Sequence, residues 1–301
     1  MTPLQRYIAE EIATDHVDGL LSRREAMRRL ALLGVGASAA TALIAACGSN
    51  PAQPTPASTE AATPAASAPP GMDTALATTA ITWAGPKGEL QGAWAQAAEP
   101  KGAILVIHEN KGLNDWVRTV AGRLAGVGYS SLAIDLLSEN GGTATFADPA
   151  EATAALGNRA PEEMVADLKS GIGEVSARTP GAGIAAVGFC MGGGLVWRLL
   201  AAGTPELSAA FPFYGPTPDA PDFAGSKDVA VLGFYGELDQ RVNAGEPVAR
   251  AALERAGLVH ELVTEPGANH AFFNDTGDRY DAGAAADAWR RTLDWLSVHV
   301  G

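Results

Sequence analysis

An α/β fold is predicted for residues 76–301 of this 301-residue chain, as a sheet of about eight mostly parallel strands with helices on both faces. Three observations predict it. From residue 81 onward, short β-type runs alternate with runs of helical period, the pattern of strands laid side by side through crossover helices. The composition, 47% hydrophobic and 18% charged, is that of a globular protein rather than a disordered chain. Third, Gly188-Phe189-Cys190-Met191-Gly192 joins an apolar strand-like run to a helix-like one. Such a turn needs glycine on both sides, because there is no room for neighbouring Cβ atoms.

Taken in order, the strands are expected at 81–84, 93–97, 103–108, 129–134, 184–189, 209–214, 229–235 and 260–264. Asn114 is a helix cap, followed by Val117, Val120, Ala121 and Leu124 on one face and by Gly126 and Gly128 as the stop. Pro161 suits the first position of another helix, with Met164, Val165, Leu168 and Ile172 facing inward. A last helix over 284–299 is expected to bury Trp289, Leu293 and Leu296. The stretch 215–227 is short and rich in Pro and Asp, so no large cap domain fits there and the site is expected to be open. The longer excursion 136–159 is placed to border it.

The first 75 residues read differently. Ser22-Arg23-Arg24 precedes an apolar run over 30–46, which ends Ile44-Ala45-Ala46-Cys47. That is the layout of an export signal. The arginine pair resembles a twin-arginine signal, and the four residues ending at Cys47 resemble a lipobox. Residues 1–46 are therefore assigned as a signal, with Cys47 as a lipidation site. A 17-residue run without a basic stop-transfer cluster is short for a permanent span. Over 51–70, 18 of 20 residues are Pro, Ala, Ser or Thr, so 47–75 is assigned as a linker that cannot offset its ordering entropy. The expected location is outside the cytoplasm, on a membrane through the lipid.

The net charge of -13 argues against a nucleic-acid partner, since phosphate binding wants a basic face. Two cysteines, Cys47 and Cys190, leave neither a disulfide framework nor a CxxC metal site.

Cys190, at the strand-to-helix turn, is the candidate nucleophile, since a helix N-terminus favours thiolate. Asp239 lies just past the strand 229–235 and His270 just past 260–264. Loops at the carboxyl ends of parallel strands converge on one site, and the order nucleophile, acid, histidine is that of α/β hydrolases. His270 would take the thiol proton and Asp239 would fix its tautomer. The backbone N–H groups of Met191 and Asn110 are assigned to the oxyanion hole. Trp116, Tyr214, Phe273 and Asn274 are candidate pocket residues. Glu109 is either a site carboxylate or a solvated loop residue.

From about residue 80 to the end, the chain resembles the dienelactone hydrolase (carboxymethylenebutenolidase) family. The likeness rests on His108-Glu109, Gly188-Phe189-Cys190-Met191-Gly192-Gly193, Tyr235-Gly236-Glu237-Leu238-Asp239 and Gly267-Ala268-Asn269-His270-Ala271-Phe272-Phe273. It implies an α/β-hydrolase fold, Cys190, Asp239 and His270 as the triad, and Glu109 as the carboxylate touching the resting thiol. It also implies hydrolysis of a small-molecule lactone or small ester through an acyl-cysteine, with no metal or organic cofactor. Where the family places an arginine for the dienelactone carboxylate, four residues after the histidine, this chain has Asn274; Arg118, Arg159 and Arg279 are candidate substitutes. Rival functions are a carboxylesterase or thioesterase of the same fold, a non-catalytic lipoprotein on a hydrolase scaffold, and a redox protein acting through Cys190.

Overall fold

All eight expected strands form in the computed structural model, which describes residues 1–48 and 68–301. They are β1 (Thr79–Ala84), β2 (Glu89–Ala95), β3 (Gly102–Ile107), β4 (Tyr129–Asp135), β5 (Ile184–Phe189), β6 (Ala209–Phe213), β7 (Ala230–Gly236) and β8 (His260–Glu265). Their order in the sheet is β1-β2-β4-β3-β5-β6-β7-β8. Only the β1–β2 and β2–β4 pairs are antiparallel. β2 begins earlier than its apolar residues suggest, because Glu89 and Leu90 pair with Ala84 and Trp83 across a tight hairpin. β3, β4, β5 and β7 are buried along their whole length, whereas the edge strands β1 and β8 alternate with exposed residues. Central strands that are apolar throughout require cover on both faces.

Helices supply it. Among the described residues the α-helices are α1 (Pro3–Val17), α2 (Arg23–Leu32), α3 (Ala37–Gly48), α4 (Asp115–Gly126), α5 (Pro149–Gly157), α6 (Pro161–Arg178), α7 (Met191–Ala201), α8 (Gln240–Asn243), α9 (Glu246–Ala256) and α10 (Ala282–His299). The Asn114 side chain accepts from Val117 N and caps α4, and Pro161 opens α6. In α10, Leu296 is buried while Trp289 and Leu293 are half-buried against the core. The excursion after β4 contains α5, whose Gly157 leaves room for Leu33; a Cβ there would lie 2.4 Å from Leu33 Cδ1.

The N-terminal segment is helical and packed on the domain, which its reading as an export signal did not address. Residues 1–46, expected as a detachable signal, fold onto the hydrolase domain. Thr2 and Gln5 form a reciprocal capping box with Pro3 in the first turn, which fixes the start of α1. Leu4, Tyr7, Ile8 and Ile12 then fall on one face and are buried. Each such side chain removed from water stabilises by about 1.5–3 kcal/mol. Polar ties join the segment to the domain: Gln5 to Asn158 at 2.8 Å, Arg28 to Asp148 at 2.7 Å, and Arg279 to Asp15 and Asp18 at 2.8 and 2.6 Å. The apolar run 30–46 is split between α2 and α3, with Gly34 at positive φ in the break. Among the described residues no helix is long and apolar enough to cross a membrane.

Most of the expected linker, residues 49–67, lies outside the described residues. Its end, 68–75, belongs to the folded domain. The adjoining Leu76 N donates to Gly122 O at 3.0 Å, and Trp289 lies over Gly71, where a Cβ would come within 2.5 Å of it.

Candidate active site

Cys190 stands between β5 and α7 with φ 54° and ψ −116°. The crowding that demanded glycine on either side is visible: a Cβ on Gly188 would lie 2.2 Å from Gly192 O, and one on Gly192 would lie 2.5 Å from Ile107 O. Cys190 N donates to Phe213 O at 3.1 Å, which ties the turn to β6. Two more non-glycine residues with positive φ border the site, Tyr214 at 36° and Ala271 at 61°. Such backbone costs about 1–3 kcal/mol per residue and gathers where side-chain placement matters more than stability.

His270 and Asp239 meet as the sequence predicts. His270 Nδ1 lies 2.5 Å from Asp239 Oδ2, and Asp239 Oδ1 accepts from Val242 N at 3.2 Å, capping α8. Burial alone would raise the Asp239 carboxyl; the His270 charge and hydrogen bond, with Arg241 and the Val242 N–H, outweigh it and hold the group below its ordinary range. For His270, burial pulls down but Asp239 wins, and the imidazole is pushed up. His270 Nε2 is buried and without a partner. A ring nitrogen of His270 comes within 4.8 Å of Cys190 Sγ.

What holds the thiol instead is α1. Cys190 Sγ lies 3.3 and 3.5 Å from the two carboxylate oxygens of Glu11 and 3.4 Å from Tyr7 Oη. Burial, then the negative charges of Glu11 and Glu109, push the thiol well above its usual range. Cys190 is thus a closed thiol in this arrangement, 2% exposed. The expectation of an open site is corrected: no large cap follows β6, yet the mouth is covered by the start of the chain, whose apolar stripe finds its burial there.

Glu109 is corrected as well. Among the described residues it makes no hydrogen bond to the thiol; its carboxylate accepts from Asn274 Nδ2 at 2.9 Å and from Tyr214 Oη at 3.4 Å. Burial raises it above the ordinary carboxyl range, against the pull of Lys111 and His270. Asn274 therefore holds Glu109 and, through Oδ1, Thr276. It brings no positive charge to a substrate carboxylate, and one of its two N–H donors is held by Glu109. Tyr214 faces His270 edge-on at 5.2 Å, so it is the one aromatic candidate that touches the triad. Trp116 and Phe273 pack on Phe189 at 5.1 and 5.5 Å, and Trp116 Nε1 donates to Asp275. These two are core beneath the elbow, not pocket wall.

Met191, which directly follows Cys190, and Asn110 are both buried. Neither main-chain N–H has an intramolecular acceptor among the described residues. His108 pins this loop: Leu136 N donates to its Nε2 at 3.1 Å, leaving the Nδ1 proton for Glu109 O at 2.6 Å.

Of the candidate arginines, Arg159 is consumed by Leu136 O, Glu139 and Asp167, and Arg279 by α1. The cation the sequence reading missed is Arg241, two residues after Asp239. Its guanidinium lies 4.4 Å over the Tyr7 ring, with Nε and Nη1 buried and unpaired. It also lines a cleft of about 330 Å³ with Pro216, Thr217, Asp219, Val242 and Val248. Glu11, Cys190 and His270 together offer donor atoms within 4.8 Å of one another. Carboxylate, thiolate and imidazole are zinc-binding types, so a thiophilic cation would compete there with proton transfer.

The dienelactone hydrolase family model matches residues 90–300. This chain belongs to the dienelactone hydrolase family. A provisionally named carboxymethylenebutenolidase of Escherichia coli (strain K12) is 32% identical over 219 residues, covering 68% of this chain and 80% of the relative. One from Saccharolobus solfataricus is 32% identical over 232 residues, covering 65% and 89%. Among solved structures, a provisionally named dienelactone hydrolase from Klebsiella pneumoniae is 27% identical with a TM-score of 0.63, over 74% of this chain and 99% of that one. A dienelactone hydrolase-like promiscuous phosphotriesterase from metagenomic libraries is 26% identical with a TM-score of 0.64, over 75% and 100%. Membership of this family makes the chain an α/β hydrolase that acts on carboxylic esters. Because the family model starts at residue 90, it leaves out α1, α2 and α3.

Proposed function

We propose that this dienelactone hydrolase-family enzyme opens a lactone or small carboxylic ester through an acyl-cysteine on Cys190. The observation that carries the reading is the buried Asp239–His270 pair, with Nε2 unpartnered among the described residues and a ring nitrogen of His270 within 4.8 Å of Cys190 Sγ. In the first half-reaction the thiol proton passes to Nε2 and the thiolate attacks the carbonyl carbon. The oxyanion is received by the Met191 and Asn110 N–H groups. Collapse expels the alkoxide, which takes the proton back from His270; in a lactone it stays attached to the acyl group. Water, deprotonated by His270, then releases the acid and restores the thiol. With neutral Asn274 where the family places an arginine, and Glu109 held beside it, an uncharged ester suits the site better than a dienelactone carboxylate.

We further propose, on the arginine pair and the residues ending at Cys47, that the chain is exported and lipid-anchored at Cys47. Intact mass of cell-derived protein tests this, since processing leaves Cys47 as the acylated first residue.

The catalytic reading is tested by turnover of a panel of lactones, oxoesters and thioesters, with one phosphotriester, alongside intact mass after substrate. An acyl adduct that maps to Cys190 and vanishes in Cys190→Ala is expected. Turnover unaffected by that substitution would refute it. Preference for thioesters would instead favour the thioesterase alternative.

A further inference from the structure

Tyr7 and Glu11 are one helical turn apart, so α1 presents both side chains together. Both reach Cys190 Sγ, at 3.4 Å for the phenol and 3.3 and 3.5 Å for the carboxylate oxygens. A carbonyl carbon under attack has to come within about 3–3.5 Å of the nucleophile. The Glu11 carboxylate occupies that distance already. It is also a group the thiol cannot use, because an ionised carboxylate is a poor electrophile with no leaving group. Beside it, Tyr7 lies on the Arg241 guanidinium, which itself lines the neighbouring cleft. Removing Tyr7 would therefore uncover the unpaired N–H groups of Arg241 and bring that cleft towards Cys190.

The way α1 is attached suits departure. α1, α2 and α3 contribute no strand to the sheet, so their release unpairs none. Their hold is a stripe of apolar side chains and a few ion pairs at the rim.

We propose that α1 is a built-in plug, in which Glu11 and Tyr7 fill the acyl position over Cys190, so that the chain is latent while α1 is docked and turnover requires the helix to leave. The proposal rests on the reading of Cys190 as nucleophile. Processing in front of Cys47 would cut the covalent tie between the plug and the domain.

The test uses the full chain, a Cys47→Ala background so that Cys190 is the one thiol, and two readouts: Cys190 alkylation by iodoacetamide and hydrolysis of 4-nitrophenyl acetate. Ile8→Asp places a charge in the docked face, where Ile8 is fully buried. Arg279→Ala removes the pairs to Asp15 and Asp18 and leaves the core untouched, so it serves if the first variant folds poorly. Thermal unfolding confirms that each domain is intact. The expected result is alkylation at least about tenfold faster in Ile8→Asp, a smaller gain in Arg279→Ala, and hydrolysis rising in parallel, a tenfold step being 1.4 kcal/mol of docking free energy. Equal alkylation rates in all three chains overturn the plug. Faster alkylation with slower hydrolysis also overturns it, since α1 would then complete the site rather than block it. Faster alkylation with no hydrolysis of 4-nitrophenyl acetate in any chain overturns the latency, since release of α1 would then uncover the thiol without producing turnover.

Discussion

Replacing Asp239 by Asn separates the catalytic role of the acid from its structural one. The cap on α8 needs only a side-chain oxygen, and Asn caps about as well as Asp, so the Val242 N–H keeps its acceptor. The 2.5 Å contact with His270 Nδ1 is a different matter. An amide nitrogen in that position cannot accept from Nδ1–H. The ring then settles with its proton on Nε2, where it cannot take one from the thiol. The same change in a serine triad costs about 10⁴ in kcat, which is about 5.5 kcal/mol of activation free energy. Stability should respond with a distinct pH profile. Asp239 is held below its ordinary range, so its contribution is present above about pH 3.9 and is lost as pH falls through the depressed value. His270 is held above its ordinary range, so its contribution is present below about pH 6.5 and is lost as pH rises through the elevated value. Wild type should therefore exceed Asp239→Asn in unfolding free energy most between about pH 4 and 6.5, with the gap narrowing as pH rises through the elevated His270 value. Denaturant unfolding at several pH values, with steady-state hydrolysis in the full chain and in the Ile8→Asp background, measures both. A folded variant losing less than about thirtyfold in kcat would refute the assignment of Asp239.

Glu265 is buried, with Oε1 unpartnered, and burial together with Asp287 lifts it to about 7. Its charged form opposes folding, so Glu265→Gln should gain on wild type as pH rises from about 4.5 to 7, by at most ~3 kcal/mol; parallel Tm profiles from pH 4 to 9 would exclude this. Gly192→Ala puts a Cβ 2.5 Å from Ile107 O and 2.6 Å from His108 O, both main chain. It should cost about 1–3 kcal/mol in denaturant unfolding, and a shift of the oxyanion loop by as little as 1 Å would take about 10² from kcat; wild-type turnover would show that the elbow tolerates the methyl. Arg123 is buried against Asp275, both oxygens at 2.9 Å. Arg123→Met should lose about 3–5 kcal/mol, because it leaves the carboxylate uncompensated above Trp116, and a double variant with Asp275→Asn should recover part of it; no recovery would mean that the loss is one of packing.

The sheet was legible because its signals are local and redundant. Each apolar run is bounded by Gly, Pro or Asp, and the parallel order follows from the helices between them. Cys190, His270 and Asp239 were legible for a related reason: each sits a fixed step past the end of a strand, and strand ends converge. Glu109 was half legible, as a site carboxylate but with the wrong partner. Its neighbour Asn274 is 165 residues away along the chain, a pairing that no spacing rule encodes. The larger omission was α1. Its signals were present, in the Thr2-Pro3-Gln5 start and the Leu4, Tyr7, Ile8, Ile12 stripe, but the twin arginines and the apolar run downstream directed attention to export. The two readings make different demands on the same residues. An export signal needs only an apolar core and a cleavage site, and is indifferent to which residues stand at 7 and 11. A helix seated on the nucleophile needs a long polar side chain at both, one turn apart, and an arginine on the domain to receive the ring. The chain meets the second, stricter demand with Tyr7, Glu11 and Arg241. On the plug proposal one segment answers to both demands: Tyr7 and Glu11 cover the Cys190 thiol, and loss of that segment would uncover it.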